Sequence, residues 1–172
     1  MTRGNARELA VHLIYGREFT GEEPEQVVAT RLSKDYYGKL SQENEVYAER
    51  PTRPQMAYLD QVVSGVANRQ EELNAEIQRY SIGWDITRIS KLTRAVMQLA
   101  MFEILYVDDV PTGVAVAEAV RIAKKYDGDE TGSFVNGILG AFARGLNAPK
   151  EEPNAEEVPQ EEEAPAAEEV EE

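Results

Sequence analysis

The sequence predicts an all-α protein, a bundle of six or seven helices, and three observations carry that prediction. Apolar residues recur at helical spacing through most of the chain, and no stretch alternates with period two. Polar or proline-bearing segments divide the helical runs from one another. At 172 residues and 42% apolar, the chain is long enough for one domain with a proper core.

The first helix is expected from about Asn5 to Phe19, where Ala6, Leu9, Ala10, Leu13 and Ile14 share one stripe. A second runs from about Pro24 to Tyr37, because proline is accepted in a first helical turn. The polar stretch "GKLSQENEVYAERP", residues 38–51, reads as a long loop. A third helix, about Arg53 to Tyr80, starts behind Thr52 and carries Leu59, Val62, Val63 and Val66. Its length implies a break, near Gly65 or within "NRQEEL". "SIGWDI" turns the chain into a helix from about Ile89 to Tyr106 that is apolar over most of its circumference, which suits the centre of a bundle. After "VDDVPTG", a helix from about Gly113 to Tyr126 buries Ala115, Ala119, Ile122 and Ala123. Thr131 is placed to cap a last helix ending near Arg144.

The formal net charge is −14, unevenly spread. From Lys150 to Glu172 there are eleven Glu and one Lys, so the first 149 residues hold only −4. The division expected is a helical domain over 1–149 and a Glu/Pro/Ala tail over 150–172 with too little to bury to fold. The tail serves solubility or competes with a ligand for the chain's cationic beginning, where Arg3, Arg7 and Arg17 face a single Glu8.

Several classes of function find no support. The chain has no cysteine, hence no thiolate metal site or thiol nucleophile. One histidine, no Ser/His/Asp signature, no phosphate-binding glycine loop and no ligand-spaced carboxylates leave no catalytic residue, metal site or cofactor to assign. The apolar runs are too short to span a bilayer and no secretory h-region is visible, so a cytoplasmic protein is expected.

Four features ask for an explanation. Glu103 falls within the stripe of Leu92, Val96 and Leu99, so burial requires a partner, for which the free N–H groups of a helix N-terminus are suited. Asn136 lies beside Gly137 and Gly140; either the glycines admit another backbone, with the amide satisfying a neighbour, or Asn136 meets a ligand. Tyr15 and Phe19, four residues apart and opposite Leu9 and Leu13, either pack beneath a second helix or await a partner. Arg3 and Arg7 are solvated charges or contacts for phosphate and base.

"TRAVMQLAMFEIL", "DVPTGVAVAEAVRIAKKY" and "GSFVNGIL", in that order, resemble the NusB family of transcription antitermination factors. "ARELAVHLIY" resembles the family's opening helix, and "LDQVVSGV" and Gly83–Trp84 fit the region between. The resemblance covers residues 2–145 and implies two packed helical sub-bundles without catalysis. It also implies binding of boxA RNA in ribosomal RNA transcripts together with a ribosomal small-subunit protein, NusE, within an RNA polymerase elongation complex containing other Nus factors.

By the same resemblance, Arg3 and Arg7 match the family's arginine-rich RNA-binding start, and Phe134 matches a position beside its RNA surface. Tyr15 matches a tyrosine facing the ribosomal-protein partner, with Phe19 beside it on the wheel. The arginine end and the start of the last helix are expected to form one continuous landing surface. Gly4 and Asn5, Gln98, and Thr112–Gly113 stand where the family often carries arginines or an aromatic–lysine pair, so binding by this chain alone is expected to be weak.

Overall fold

Ser90, Thr52 and Ser33 each begin a helix, and their placement explains much of the architecture. The computed structural model describes residues 1–147; the predicted tail over 150–172 lies outside the described residues. Eight α-helices and two single 3-10 turns are found among them, and no strand. The helices are α1 (Arg3–Thr20), α2 (Pro24–Arg31), α3 (Lys34–Leu40), α4 (Arg53–Asn68), α5 (Gln70–Tyr80), α6 (Lys91–Tyr106), α7 (Thr112–Asp127) and α8 (Asp129–Asn147).

The count exceeds the expected six or seven because two runs divide. The expected helix over 24–37 breaks at Leu32, which turns into the core, and Ser33 Oγ accepts from the Tyr36 N–H to start α3. The expected loop over 38–51 is partly ordered as the end of α3 and a 3-10 turn over Glu45–Tyr47. Val46, Tyr47 and Tyr37 are its anchors: all three are buried, and the Tyr37 hydroxyl donates to the Glu49 carbonyl at 2.8 Å. Burial pushes the Tyr37 and Tyr47 hydroxyls up to about 12.

The long third run divides at Arg69, within "NRQEEL". Gly65 is no break. It sits inside α4 where a Cβ would overlap the Phe102 ring, so the glycine lets α4 and α6 close on each other. At the start of α4 the Gln55 side chain accepts from the Thr52 N–H at 2.9 Å, half of a capping box.

Helix α6 is the centre, packing against α1, α4, α5, α7 and α8. Its residues Ala95–Glu103 are buried without interruption. Ser90 caps it, and Asp127 at the end of α7 accepts from both the Thr93 hydroxyl (2.8 Å) and the Ser90 hydroxyl (3.3 Å), a carboxylate placed where the helix dipole favours one. Helix α8 begins at Asp129, two residues ahead of the expected cap. Thr131 instead donates to the Asp127 carbonyl at 3.2 Å. The turn between α7 and α8 is made by Gly128 at φ +89°.

Candidate nucleic-acid interface

The first two turns of α1 carry Arg3 and Arg7, and the two have different fates. Arg7 points inward: its Nε lies 2.9 and 3.1 Å from the two Glu103 carboxylate oxygens, and its side chain is 7% exposed. The Tyr58 hydroxyl of α4 donates to the same carboxylate at 2.8 Å, and Glu118 of α7 approaches the Arg7 guanidinium at 4.0 Å. Glu103 therefore has a guanidinium and a phenol as partners, in place of the helix N-terminus expected. Burial still holds its carboxyl above the usual carboxylate range, with Arg7 and Tyr58 pulling the other way. Burial and the adjacent Glu103 likewise raise the Tyr58 hydroxyl.

Arg3, one turn earlier, remains at the surface. Its guanidinium lies 3.2 Å from Asp109, and both side chains are mostly exposed at 69% and 75%. Between α1, α4 and the 107–109 segment runs a groove of about 500 Å³, lined by Arg3, Tyr58, Gln61, Val107 and Asp109 among others, with Arg7 at its floor. The chain's amino group pairs with Glu49. The cationic beginning is thus answered by carboxylates of its own chain at Glu49, Glu103 and Asp109.

A second polar cluster, on the other side of α1, escaped the sequence reading. Glu8 is buried and accepts from Lys125 (2.7 Å), Arg121 (3.4 Å) and the Tyr126 hydroxyl. Because Tyr126 gives its proton to Glu8, His12 Nε2, 2.7 Å away, donates to it, and Nδ1 accepts from Tyr47 at 3.0 Å. Burial opposes ionisation of Glu8, but the cations and the phenol outweigh it and hold the carboxyl below its ordinary value. Lys125 also reaches Glu45, so the cluster ties the 3-10 turn to α1 and α7. Its sequence signal was the spacing of Arg121 and Lys125, one turn apart on a single face.

Phe134 is half-buried on α8, its ring centroid 6.2 Å from that of Trp84, in a cleft of about 450 Å³ shared with Arg88, Ser90 and Thr93. Trp84 is 54% exposed; its sequence signal was its place in a turn and the fit of Gly83–Trp84 to the family resemblance, neither of which assigned it to the site. The cleft and the arginine end do not adjoin. Arg3 meets Asp109 beyond the C-terminus of α6, whereas Phe134 sits with Ser90 and Thr93 at its N-terminus. The 16 residues of α6, about 24 Å of helix, run between those two ends. The expected single landing surface is therefore two stations, one at each end of α6.

Tyr15 and Phe19 lie near the second station. Their rings meet edge-on at 5.0 Å, and Lys91, at the start of α6, stands over Phe19 at 4.6 Å. Tyr15 packs against the core, while Phe19 is 62% exposed, so the pair divides between the two expectations. Asn136 and Gly137 are both exposed, and a Cβ at Gly137 would meet open space. The glycines of α8 that permit close approach are Gly132, packed against the Lys124 side chain, and Gly145, packed against the Tyr80 hydroxyl.

Among the described residues no group of three or more His, Asp or Glu is arranged to hold a metal ion, and no helix is long and apolar enough to cross a membrane.

Residues 4–144 match the NusB family. The transcription antitermination protein NusB of Acetivibrio thermocellus is 39% identical over 144 residues, covering 84% of this chain and 90% of that protein. Its namesake from Rubrobacter xylanophilus is 38% identical over 139 residues, with 81% and 88% covered. Among solved structures, T. maritima NusB superposes with a TM-score of 0.67 at 28% identity, covering 84% of this chain and 92% of that one. A crystal structure of antitermination factors NusB and NusE in complex with dsRNA gives a TM-score of 0.65 at 22% identity, covering 83% and 96%, a likeness of fold.

Proposed function

The chain belongs to the NusB family, and from that premise we propose that it is an RNA-binding antitermination factor acting with a ribosomal small-subunit protein, NusE. It binds boxA-type RNA of ribosomal RNA transcripts in the cytoplasm and joins an RNA polymerase elongation complex with other Nus factors. It works by binding, not by catalysis. The observation that carries this reading is the family match over nearly the whole described chain, 39% identical to an antitermination protein.

The local chemistry supports two separate contacts. Arg3 is the exposed guanidinium of the first station, suited to phosphate or base. Arg7 acts through position: fixed on Glu103, it sets the start of α1 and with it Arg3. At the second station Phe134 and Trp84 offer rings on which a base can stack, with Arg88 beside them. Phe19, backed by Tyr15, presents the aromatic area that a protein partner can bury.

With Arg3 the exposed arginine of the first station and itself paired with Asp109, affinity for RNA alone is low and the partner supplies the remainder. A titration of boxA-type RNA with the full chain, in the presence and absence of the ribosomal protein, tests this. Tighter RNA binding with the partner is expected; no gain, together with no binding by the chain alone, rejects the reading. The pairing of the amino group, Arg3 and Arg7 with carboxylates of the chain favours one alternative, an adaptor that binds the protein partner and ignores RNA. That alternative gives partner binding by pull-down with no difference between boxA-type and scrambled RNA.

A further inference from the structure

The groove between α1 and α4 contains a feature that phosphate binding does not explain. Its rim pairs Arg3 with a carboxylate, Asp109, at 3.2 Å. A carboxylate repels phosphate, so a site that only grips the backbone gains nothing from one there. As a stabilising contact the pair is also weak, because both groups are largely solvated. What a guanidinium and a carboxylate side by side can recognise is an edge that presents acceptors next to donors.

We infer that this groove is a single-nucleotide pocket of the RNA strand and that Asp109 with Arg3 selects guanine. The inference rests on the RNA-binding reading above and names the base at its first station. Guanine carries O6 and N7 as acceptors, suited to an arginine fork. Directly beside O6 it carries N1–H and the N2 amino group, two parallel donors for the two carboxylate oxygens. Adenine offers a single exocyclic donor with no adjacent carbonyl, and cytosine reverses the order. Uracil supplies one acceptor and one donor in sequence but no second donor.

The groove suits one base in size and lining. About 500 Å³ lies within the range of small-ligand sites. Ala6, Ala57 and Val107 give it apolar walls, and the Gln61 side chain is exposed along it. Tyr58 lines it as well, and the bond from its hydroxyl to Glu103 keeps the ring from swinging away. The buried Arg7–Glu103–Tyr58 cluster thereby acquires a role: it is the fixed floor on which the reading groups at the rim are held.

The test uses the full chain and a short single-stranded RNA with one guanine in a uridine–adenine background. The same RNA is made with inosine, which lacks only the N2 amino group, and with adenine. The wild-type chain is expected to favour guanine over inosine by about tenfold or more, the loss of one charge-assisted hydrogen bond. Asp109→Ala is expected to erase that preference while still binding the inosine RNA. Equal guanine-to-inosine ratios in wild type and Asp109→Ala overturn the pocket and leave the RNA-binding reading standing. No binding of any of these RNAs, with or without the ribosomal protein, overturns both. Guanosine monophosphate binding as tightly as the RNA makes a free nucleotide the occupant and overturns the assignment to a strand.

Discussion

Arg7 of α1 and Glu103 of α6, separated by 96 residues, meet in the core with the guanidinium Nε 2.9 Å from the carboxylate. Both side chains are nearly inaccessible, at 7% and 1%. Breaking such a pair from one side leaves an uncompensated charge, which costs about 3–5 kcal/mol. Arg7→Ala is therefore expected to destabilise strongly in urea unfolding. The triple variant Arg7→Leu, Glu103→Leu, Tyr58→Phe, which removes the guanidinium, the buried carboxylate and the phenol together and leaves Glu118 to Arg121, should recover much of that loss. A triple variant less stable than Arg7→Ala would show that the cluster stabilises the fold in its own right.

Gly65 and Phe102 give a packing prediction. With Phe102 filling the space a Cβ would take, Gly65→Ala is expected to cost about 1–3 kcal/mol through overpacking, despite the better helix propensity of alanine. Thermal unfolding reads it. Adding Phe102→Leu to Gly65→Ala should return part of the stability, because the smaller side chain relieves the overlap.

The Glu8–His12 cluster sets the response to acid. Burial lowers His12 below its ordinary 6.5, although Glu8 pulls the other way. Glu8 stays below its ordinary 4.5 because Lys125, Tyr126 and Arg121 outweigh the effect of burial. For both groups the unfolded chain binds protons more readily, so their contribution is complete above pH 6.5 and is lost as pH falls. Stability in urea should decline first below pH 6.5 and again below 4.5. Glu103, raised by burial, works in the opposite sense: its protonation adds stability as pH falls toward 4.5, ahead of the second decline. Glu8→Gln is expected to flatten the region below 4.5, and the His12 ring resonances should titrate below 6.5. A midpoint above 6.5 would contradict the cluster as described.

Arg3→Ala separates binding from folding. The side chain is exposed, so the melting temperature should stay unchanged while RNA affinity falls. If Arg3 neutralises one phosphate, the slope of log affinity against log salt should shrink by about 0.7. An unaltered slope would assign Arg3 to the base edge alone.

Phe19→Ser examines the partner face. Truncating an exposed aromatic anchor is expected to weaken binding of the ribosomal protein roughly tenfold or more. Melting temperature and binding to RNA alone should not change. Tyr15 is a poorer probe, because it also packs on the core and its loss mixes folding with binding.

Much of this was legible from residue spacing. The central position of α6 followed from apolar residues over most of its circumference, and a break near Gly65 or in the polar run that holds Arg69 from the length of the third helix. Ser33 was a readable cap, but no glycine or proline lies between Pro24 and Tyr37, so α2 and α3 looked continuous. Val46 and Tyr47 were hidden among polar neighbours because three residues are too few to set a period. The site was harder. The helical wheel put Phe19 opposite the Leu9 and Leu13 stripe but left open whether a second helix covers it, and the inward turn of Arg7 depended on Glu103 and Tyr58, distant in sequence. The separation of Arg3 from Phe134 could not be read at all, since it depends on which end of α6 each helix reaches.

Helix α6 also works as a ruler. Being one unbroken rod of 16 residues, it fixes how far apart the arginine groove and the aromatic cleft stand, and how they are turned relative to each other. One inserted residue would lengthen that span by only about 1.5 Å but swing one end by roughly 100°. Any strand that touches both places must suit a gap and an angle engraved in a single helix, and so would the spacing of its bases.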